Sequence, residues 1–356
     1  MAALSVAQLE GVVNATLSKY GRRKITDIAS DLQEYVVMGR LMKSDKVVTK
    51  DGGKDITFFL TATLGSNARH VGMYSVDAPN VTDSQVNGTV PWRFTECSYS
   101  FDVHEKEING ATAEQLIELI KLREGREMAG LAELMETTFW GPLPASTDTV
   151  TPFGLKYWVV ATTGKGTEAL RGFNGGNPSG FTAGAAGIDS DTYTNWKNWA
   201  GNYTSFSRED LLTGMRQLSR ETRWKSPIDY PNYDKAESGP SITQKFGIYV
   251  NGSTQEQLRQ MMEDQNDNLG QDLGGGNMTF NGSAIQWIPY LDGDTLTDPI
   301  YFVNWGVFGI CCLKGEKFRS TTMRAPNQHN VLNGFTDLSN QTICTDRRKC
   351  GILTRE

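Results

Sequence analysis

The sequence predicts an α+β fold. Three observations carry that prediction: one long amphipathic helix, strand-like segments on both sides of it, and an element order that lacks the regular βαβ alternation of a parallel-sheet protein. The helix is the strongest signal. It opens after Gly110 with Thr112 and Gln115 spaced as a capping box. Leu116, Leu119, Ile120, Met128, Leu131, Leu134, Met135 and Phe139 then recur at helical spacing until Gly141-Pro142 ends the run. Residues 112–140 span ~40 Å at 1.5 Å per residue, enough for a spine on which other elements pack. Leu131 and Leu134 are expected on its buried face, Glu118 and Arg126 on the opposite one.

The remaining elements follow in order. The first forty residues read as an arm with two amphipathic helices, the first carrying Leu9, Val12, Val13 and Leu17, the second Ile28, Leu32, Tyr35 and Val36, joined by a basic linker at 19–24. Residues 47–63 and 92–103 read as strands: Ile56, Phe58 and Leu60 alternate with polar residues, as do Phe94, Tyr99 and Phe101. The connection between them, 64–91, is too long for a tight turn and poor in apolar groups, which predicts an extended two-stranded projection with a polar tip. Residues 141–206 are rich in Gly, Asn, Thr and aromatics and read as irregular surface structure. Ser207 and Asp210 then cap a helix bearing Leu211, Leu212, Met215 and Leu218. A strand at 246–250 precedes a helix with Leu258, Met261 and Met262, and strands are expected at 278–291, 299–313 and 335–353.

Composition bounds the function. At 356 residues the chain is long enough for roughly two or three packed units, and 37 Gly with 12 Pro fall far short of a low-complexity sequence. A formal net charge of −6 repels nucleic acid at long range, so tight sequence-specific DNA binding is not expected. The longest uncharged run, between Asp298 and Lys314, is interrupted by Pro299, Asn304, Gly306 and Gly309 and falls short of the about 20 apolar residues of a membrane span. The opening MAALSVAQLE has neither a basic nor a continuous apolar region of a secretory signal, and five cysteines, two of them adjacent at Cys311 and Cys312, fit reduced thiols; both point to the cytoplasm.

Catalytic patterns are scarce. Gly164-Lys165-Gly166-Thr167 lacks the leading glycine of a phosphate loop, and Gly274-Gly275-Gly276 lacks dinucleotide spacing. His70, His104 and His329 sit in separate elements without metal-ligand partners, and Gly176-Asn-Pro-Ser179-Gly180 has the wrong spacing for a nucleophile turn. No enzymatic activity, cofactor or metal is expected. The arms, loop and helix carry apolar stripes that one compact unit does not bury, which points to burial between subunits.

That order of parts resembles the tailed-bacteriophage major capsid protein family with the Hong Kong 97-type fold, over nearly the whole chain. The most specific strings lie near the end: PIYFVNW at 299–305, Phe318-Arg319, and NQTICTDRR at 340–348. The resemblance implies an N-terminal arm at 1–45, an E-loop at 46–104, and a peripheral (P) domain at 105–206 with its spine helix at 112–140 and an insertion after it. It further implies an axial (A) domain at 207–332, including part of the P-domain sheet, and a closing strand at 333–356. The implied function is a coat subunit that forms pentamers and hexamers of an icosahedral shell around double-stranded DNA, assembled in the host bacterial cytoplasm and residing in the virion capsid. Implied partners are further copies of itself, a separate scaffolding protein (since no coiled-coil block of roughly a hundred residues precedes the arm), a portal protein, an optional decoration or cement protein, and weak non-specific contact with packaged DNA; no membrane is involved.

Intersubunit contacts are expected at the loop tip and arm, through Arg69, Asp77, Asp83, Leu9 and Val13. Asn340 matches the asparagine that cross-linking relatives join to a lysine, but 64–91 contains no lysine, so no cross-link is expected. The competing reading is a soluble β-rich carbohydrate- or peptide-binding module built on Trp196, Trp199, Tyr203 and Trp224.

Overall fold

The computed structural model describes residues 35–43, 47–62, 69–76, 85–102, 104, 113–161, 172–223, 246–263, 278–324 and 331–356. The first arm helix, the 164–167 and 274–276 glycine motifs, His329 and Trp224 lie outside them, as do the side chains of Thr112, Gln115 and Glu118. Two large sheets and one hairpin make up the strands. The first sheet joins β1 (Val47–Lys50), β11 (Phe308–Leu313), β13 (Val331–Cys344) and β12 (Arg319–Arg324) in that order, with β4 (Arg93–Asp102) also paired to β13. The second has seven strands: β5 (Gly172–Gly175), β6 (Asn198–Tyr203), β14 (Gly351–Arg355), β10 (Ile300–Asn304), β7 (Phe246–Val250), β9 (Ser283–Trp287) and β8 (Thr279–Phe280). The hairpin pairs β2 (Asp55–Thr61) with β3 (Gln85–Pro91).

The seven-stranded sheet is buried on both faces, which explains why its central strands are continuously apolar rather than alternating. On β10, Tyr301 and Val303 enter the main core while Ile300 and Phe302 enter a second core on the other side. β7 divides in the same way, Tyr249 to the main core and Phe246, Ile248 and Val250 to the second. The helices Thr213–Thr222 and Gly252–Glu263 supply Met215, Leu218 and Leu258 to that second core. Each helix starts on a side-chain cap: Ser207 Oγ accepts the Asp210 N–H at 3.2 Å at the head of a π-turn (208–212) that leads into the first, and Asn251 Oδ1 accepts the Thr254 N–H at 3.0 Å. The main core gathers the long helix Ala113–Trp140, the short arm helix Val36–Met42 and both sheets around Leu131, Met135, Phe139 and Trp140.

Four expectations need correction. The expected strand at 47–63 is two, 47–50 in the first sheet and 55–61 in the hairpin, and the hairpin partner of 55–61 is not 92–103 but 85–91, whose Gly88 and Asn87 hid a strand; 93–102 instead runs antiparallel along β13 over ten residue pairs. In β4, Phe94 is 63% exposed, on the face opposite Cys97 and Tyr99, because residues an odd number apart point to opposite sides of a strand. The expected strands at 299–313 and 335–353 are each two strands, one in each sheet, separated by a turn at 305–307 and by the bend and 3-10 turn at 345–350.

The fourth correction concerns 141–206, whose described residues include a buried aromatic set rather than surface alone. Phe153, Leu155, Tyr157, Trp158, Ile188, Trp196 and Tyr203 are all buried, and β5 and β6 enter the seven-stranded sheet, so that sheet takes strands from both sides of residue 206.

From residue 122 on, the long helix presents one apolar face as predicted, but Leu134 is 51% exposed whereas Leu131 is 3% exposed. Leu131→Asp buries a carboxylate in the main core at a cost of several kcal/mol, comparable to the about 5–15 kcal/mol stability of a domain, and is expected to abolish cooperative unfolding monitored by circular dichroism. Leu134→Asp and Arg126→Ala, both at exposed positions, are expected to shift stability by no more than about 1 kcal/mol.

Candidate assembly surface

An isolated two-stranded hairpin is marginal in water, so β2–β3 needs support at its root and leaves its far end to other contacts. Near that end, 69–76 forms a compact turn. The Ser75 N–H and Oγ both donate to the Gly72 carbonyl, at 3.2 and 2.8 Å, Tyr74 takes a left-handed φ of 73°, and the Arg69 guanidinium donates to the Val76 carbonyl. The turn is not polar as predicted. Val71, Met73, Tyr74 and Val76 are 63–95% exposed, an apolar group that none of the described residues covers. Phe59 extends the pattern along β2, 73% exposed on the face opposite Ile56 and Phe58. Of the predicted contact residues, the structure places Arg69 in this turn; Asp77, Asp83, Leu9 and Val13 lie outside the described residues. The four apolar tip residues were missed because, scattered singly among Gly, Ser and His, they carry no strand or helix period.

The arm helix Val36–Met42 is tied to the long helix by a buried carboxylate. Glu136 accepts the Val37 and Met38 N–H groups at 2.5 and 3.2 Å on one oxygen and the Trp140 indole N–H at 2.9 Å on the other. Burial pushes its pKa up to about 7, against the lowering effect of these three donors. One turn further along the arm helix, the Arg40 guanidinium lies 3.7 Å from the Trp305 ring centroid and is hydrogen-bonded to Tyr249, whose hydroxyl also accepts the Trp305 indole N–H at 2.8 Å. The arm's root therefore carries a designed seat of one acceptor and one aromatic cradle.

Asn340 is not a surface group. It is 2% exposed, takes a hydrogen bond from Thr95 Oγ1 at 3.2 Å, and donates to Met135 Sδ at 3.3 Å beneath the long helix. Cys311, Cys312, Cys344 and Cys350 are buried free thiols and Cys97 is half-buried; burial holds the Cys311 and Cys312 pKa values up at about 11 and about 12, which keeps them protonated and unreactive. The stacking rings proposed for a binding module are likewise inside: Trp196 and Tyr203 are 6% and 1% exposed, and Trp199 is partly buried against the second core. Among the described residues no group of three or more His, Cys, Asp or Glu is placed to hold a metal.

No protein-family model matches the chain, and no curated protein matches it by sequence. Its structure is similar to solved capsids. Against the capsid asymmetric unit of cyanophage A-1(L) the TM-score is 0.59 at 14% identity, covering 96% of this chain and 98% of that one. Against the capsid of the Myoviridae phage XM1 it is 0.52 at 8% identity, with 96% and 99% covered, and against the capsid of an empty GTA particle 0.52 at 10% identity, with 94% of each covered. The mixed α+β architecture is thus a fold shared with these capsid structures over 94–96% of the chain, as the layout of the sequence implies.

Because the Glu136 carboxyl holds its proton more tightly in the folded chain than at the ordinary value of 4.5, the native state binds more protons than the unfolded one between pH 4.5 and about 7, and stability falls as pH rises through that window. Equilibrium denaturation at a series of pH values should record this fall, of up to roughly 3 kcal/mol. Glu136→Gln should flatten it. An identical slope in both proteins would place the titration elsewhere.

Proposed function

We propose that the chain is a major capsid protein: a non-enzymatic structural subunit that associates with copies of itself in pentamers and hexamers and closes an icosahedral shell around phage double-stranded DNA. The observation that carries this reading is the coincidence of a fold shared with capsid structures over 96% of the chain with a hairpin whose far turn exposes Val71, Met73, Tyr74 and Val76. Within it, 1–45 is the arm, 46–104 the E-loop, 105–206 and 207–332 the peripheral and axial domains with the long helix as spine, and 333–356 the closing strand.

Contacts between subunits run through the tip, with Arg69 joined by Asp77 and Asp83, and through the arm, with Leu9 and Val13. Head-to-tail contacts of this kind close into rings when the rotation per subunit closes. A separate scaffolding protein, a portal and, in some particles, a decoration protein complete the assembly, which forms in the host cytoplasm and ends in the virion. The negative charge suits a container that must release its DNA.

The shell is held without covalent cross-links. A cross-link needs an exposed carboxamide and an amine within reach, whereas Asn340 is buried in its own core and the loop tip has no lysine. Exposed ion pairs add only about 0–1 kcal/mol each, so cohesion comes from repeated burial of apolar surface.

The chain co-expressed with its neighbouring viral genes is expected to give shell-sized particles by light scattering; a stable monomer under all such conditions contradicts the reading. Boiled in detergent, the particles should run as one band near the 39.4 kDa of the single chain, and a ladder of five- and six-subunit species would contradict the absence of cross-links. Excising 66–84 and closing the gap with a short Gly-Ser linker preserves both hairpin strands. It should leave cooperative unfolding intact while abolishing particle formation in sedimentation.

A further inference from the structure

The root of the β2–β3 hairpin is held by residues more than sixty positions away in the chain. Thr89 lies in β3 opposite Thr57, yet its N–H donates at 2.9 Å to the carbonyl of Ala186, outside the hairpin. One pair further along, Phe58 sits opposite Gly88, and its ring lies between two buried indoles, 6.5 Å from Trp158 and 6.3 Å from Trp196. Gly88 makes room for this: a Cβ there would fall 2.4 Å from Phe58 Cζ, so the ring crosses β3 only because the residue beneath it has no side chain. Ile56 and Val90, at the hairpin base, are fully inside the main core.

The indoles themselves are fixed. The carbonyls of Trp158 and Trp196 accept hydrogen bonds from Arg347 Nε and Nη1 at 2.8 and 2.9 Å, and the Trp196 indole N–H donates at 3.1 Å to Ala185. Ala186 is held in a left-handed conformation, φ 57°, with its N–H donating to the Tyr157 hydroxyl at 2.8 Å. That conformation is sterically costly for an L-residue and persists only where surrounding contacts enforce it. Each group touching the hairpin root thus belongs to a segment with its own hydrogen-bonded support.

We propose that residues 153–161 and 172–198 act as a bracket, with Trp158, Trp196 and Ala186 as its contact points and Phe58 as the positioning residue on the hairpin, that fixes the direction in which the hairpin leaves its own subunit. The hairpin root is then a rigid part of the body, and adaptation to a neighbour is confined to the strands beyond Phe58 and the tip. Its consequence for a shell, that the bracket sets the angle between adjacent subunits, rests on the capsid reading; the fixation of the root does not.

Hydrogen exchange on the purified full chain, assembled or not, tests this separately from assembly. Phe58→Ala and Gly88→Ala, the first removing the ring and the second displacing it, should each speed exchange at 55–61 and 85–91 by about tenfold or more while strands 246–250 and 300–304 keep their protection. In the Phe58→Ala background the added Gly88→Ala change should have no further effect, since its Cβ then meets no ring. Unchanged hairpin exchange in Phe58→Ala, an equal rise across both strand sets, or additive effects of the two substitutions would overturn the proposal.

Discussion

A guanidinium sealed from solvent must find an oxygen for the N–H groups it carries, and Arg347, with no exposed surface, finds them in three segments distant in the chain. It donates to the carbonyls of Trp158, Gly175, Gly176 and Trp196 and to Asn198 Oδ1, and no carboxylate among the described residues pairs with it. Burial lowers its pKa to about 10, which leaves it charged at neutral pH. The positions of those carbonyls are therefore set by one fork of five donors, and moving any of them strands a buried charge. Because Arg347 occupies the turn between β13 and β14, this constraint acts where the chain leaves one sheet for the other.

The two sheets are joined at two such crossings, β10 to β11 and β13 to β14, and the main core lies around both. Two elements are fixed to this body by particular contacts. The arm helix is seated by Glu136 and by the Trp305–Tyr249 cradle around Arg40; the hairpin is seated by the aromatic segment that Arg347 organises. A fixed hairpin root with an exposed apolar turn at 69–76 suits a subunit that associates with its own copies, since each contact can be weak while a closed assembly repeats it at every equivalent position.

The elements readable in the sequence were those whose signal is local. The long helix follows from the spacing of Leu131, Met135 and Phe139, and the helix after 207 from the Ser207–Asp210 cap, both of which act within a turn or two. β3 was not readable, because QVNGTVP carries Gly and Asn where a strand is expected to be β-branched, and its glycine is there to admit a ring from the neighbouring strand. The aromatics between 153 and 203 read as surface because they carry no helix or strand period, although Phe153, Tyr157 and Phe181 pack on one another, and because the other groups that cover Trp158 and Trp196, Phe58 and Arg347, lie roughly 100–190 residues away in the chain. Arg347 stands out in the sequence only within NQTICTDRR, since an arginine carries no mark of burial until its acceptors are placed. Leu134 shows the converse limit, an apolar residue at the right spacing that the packing does not reach.

A side-chain-resolution reconstruction of particles assembled from the chain is the most direct measurement of whether its bare apolar tip is an intersubunit contact. The expected density places Val71, Met73, Tyr74 and Val76 under an adjacent subunit. Particles in which these residues face solvent or fold back onto their own subunit would contradict it.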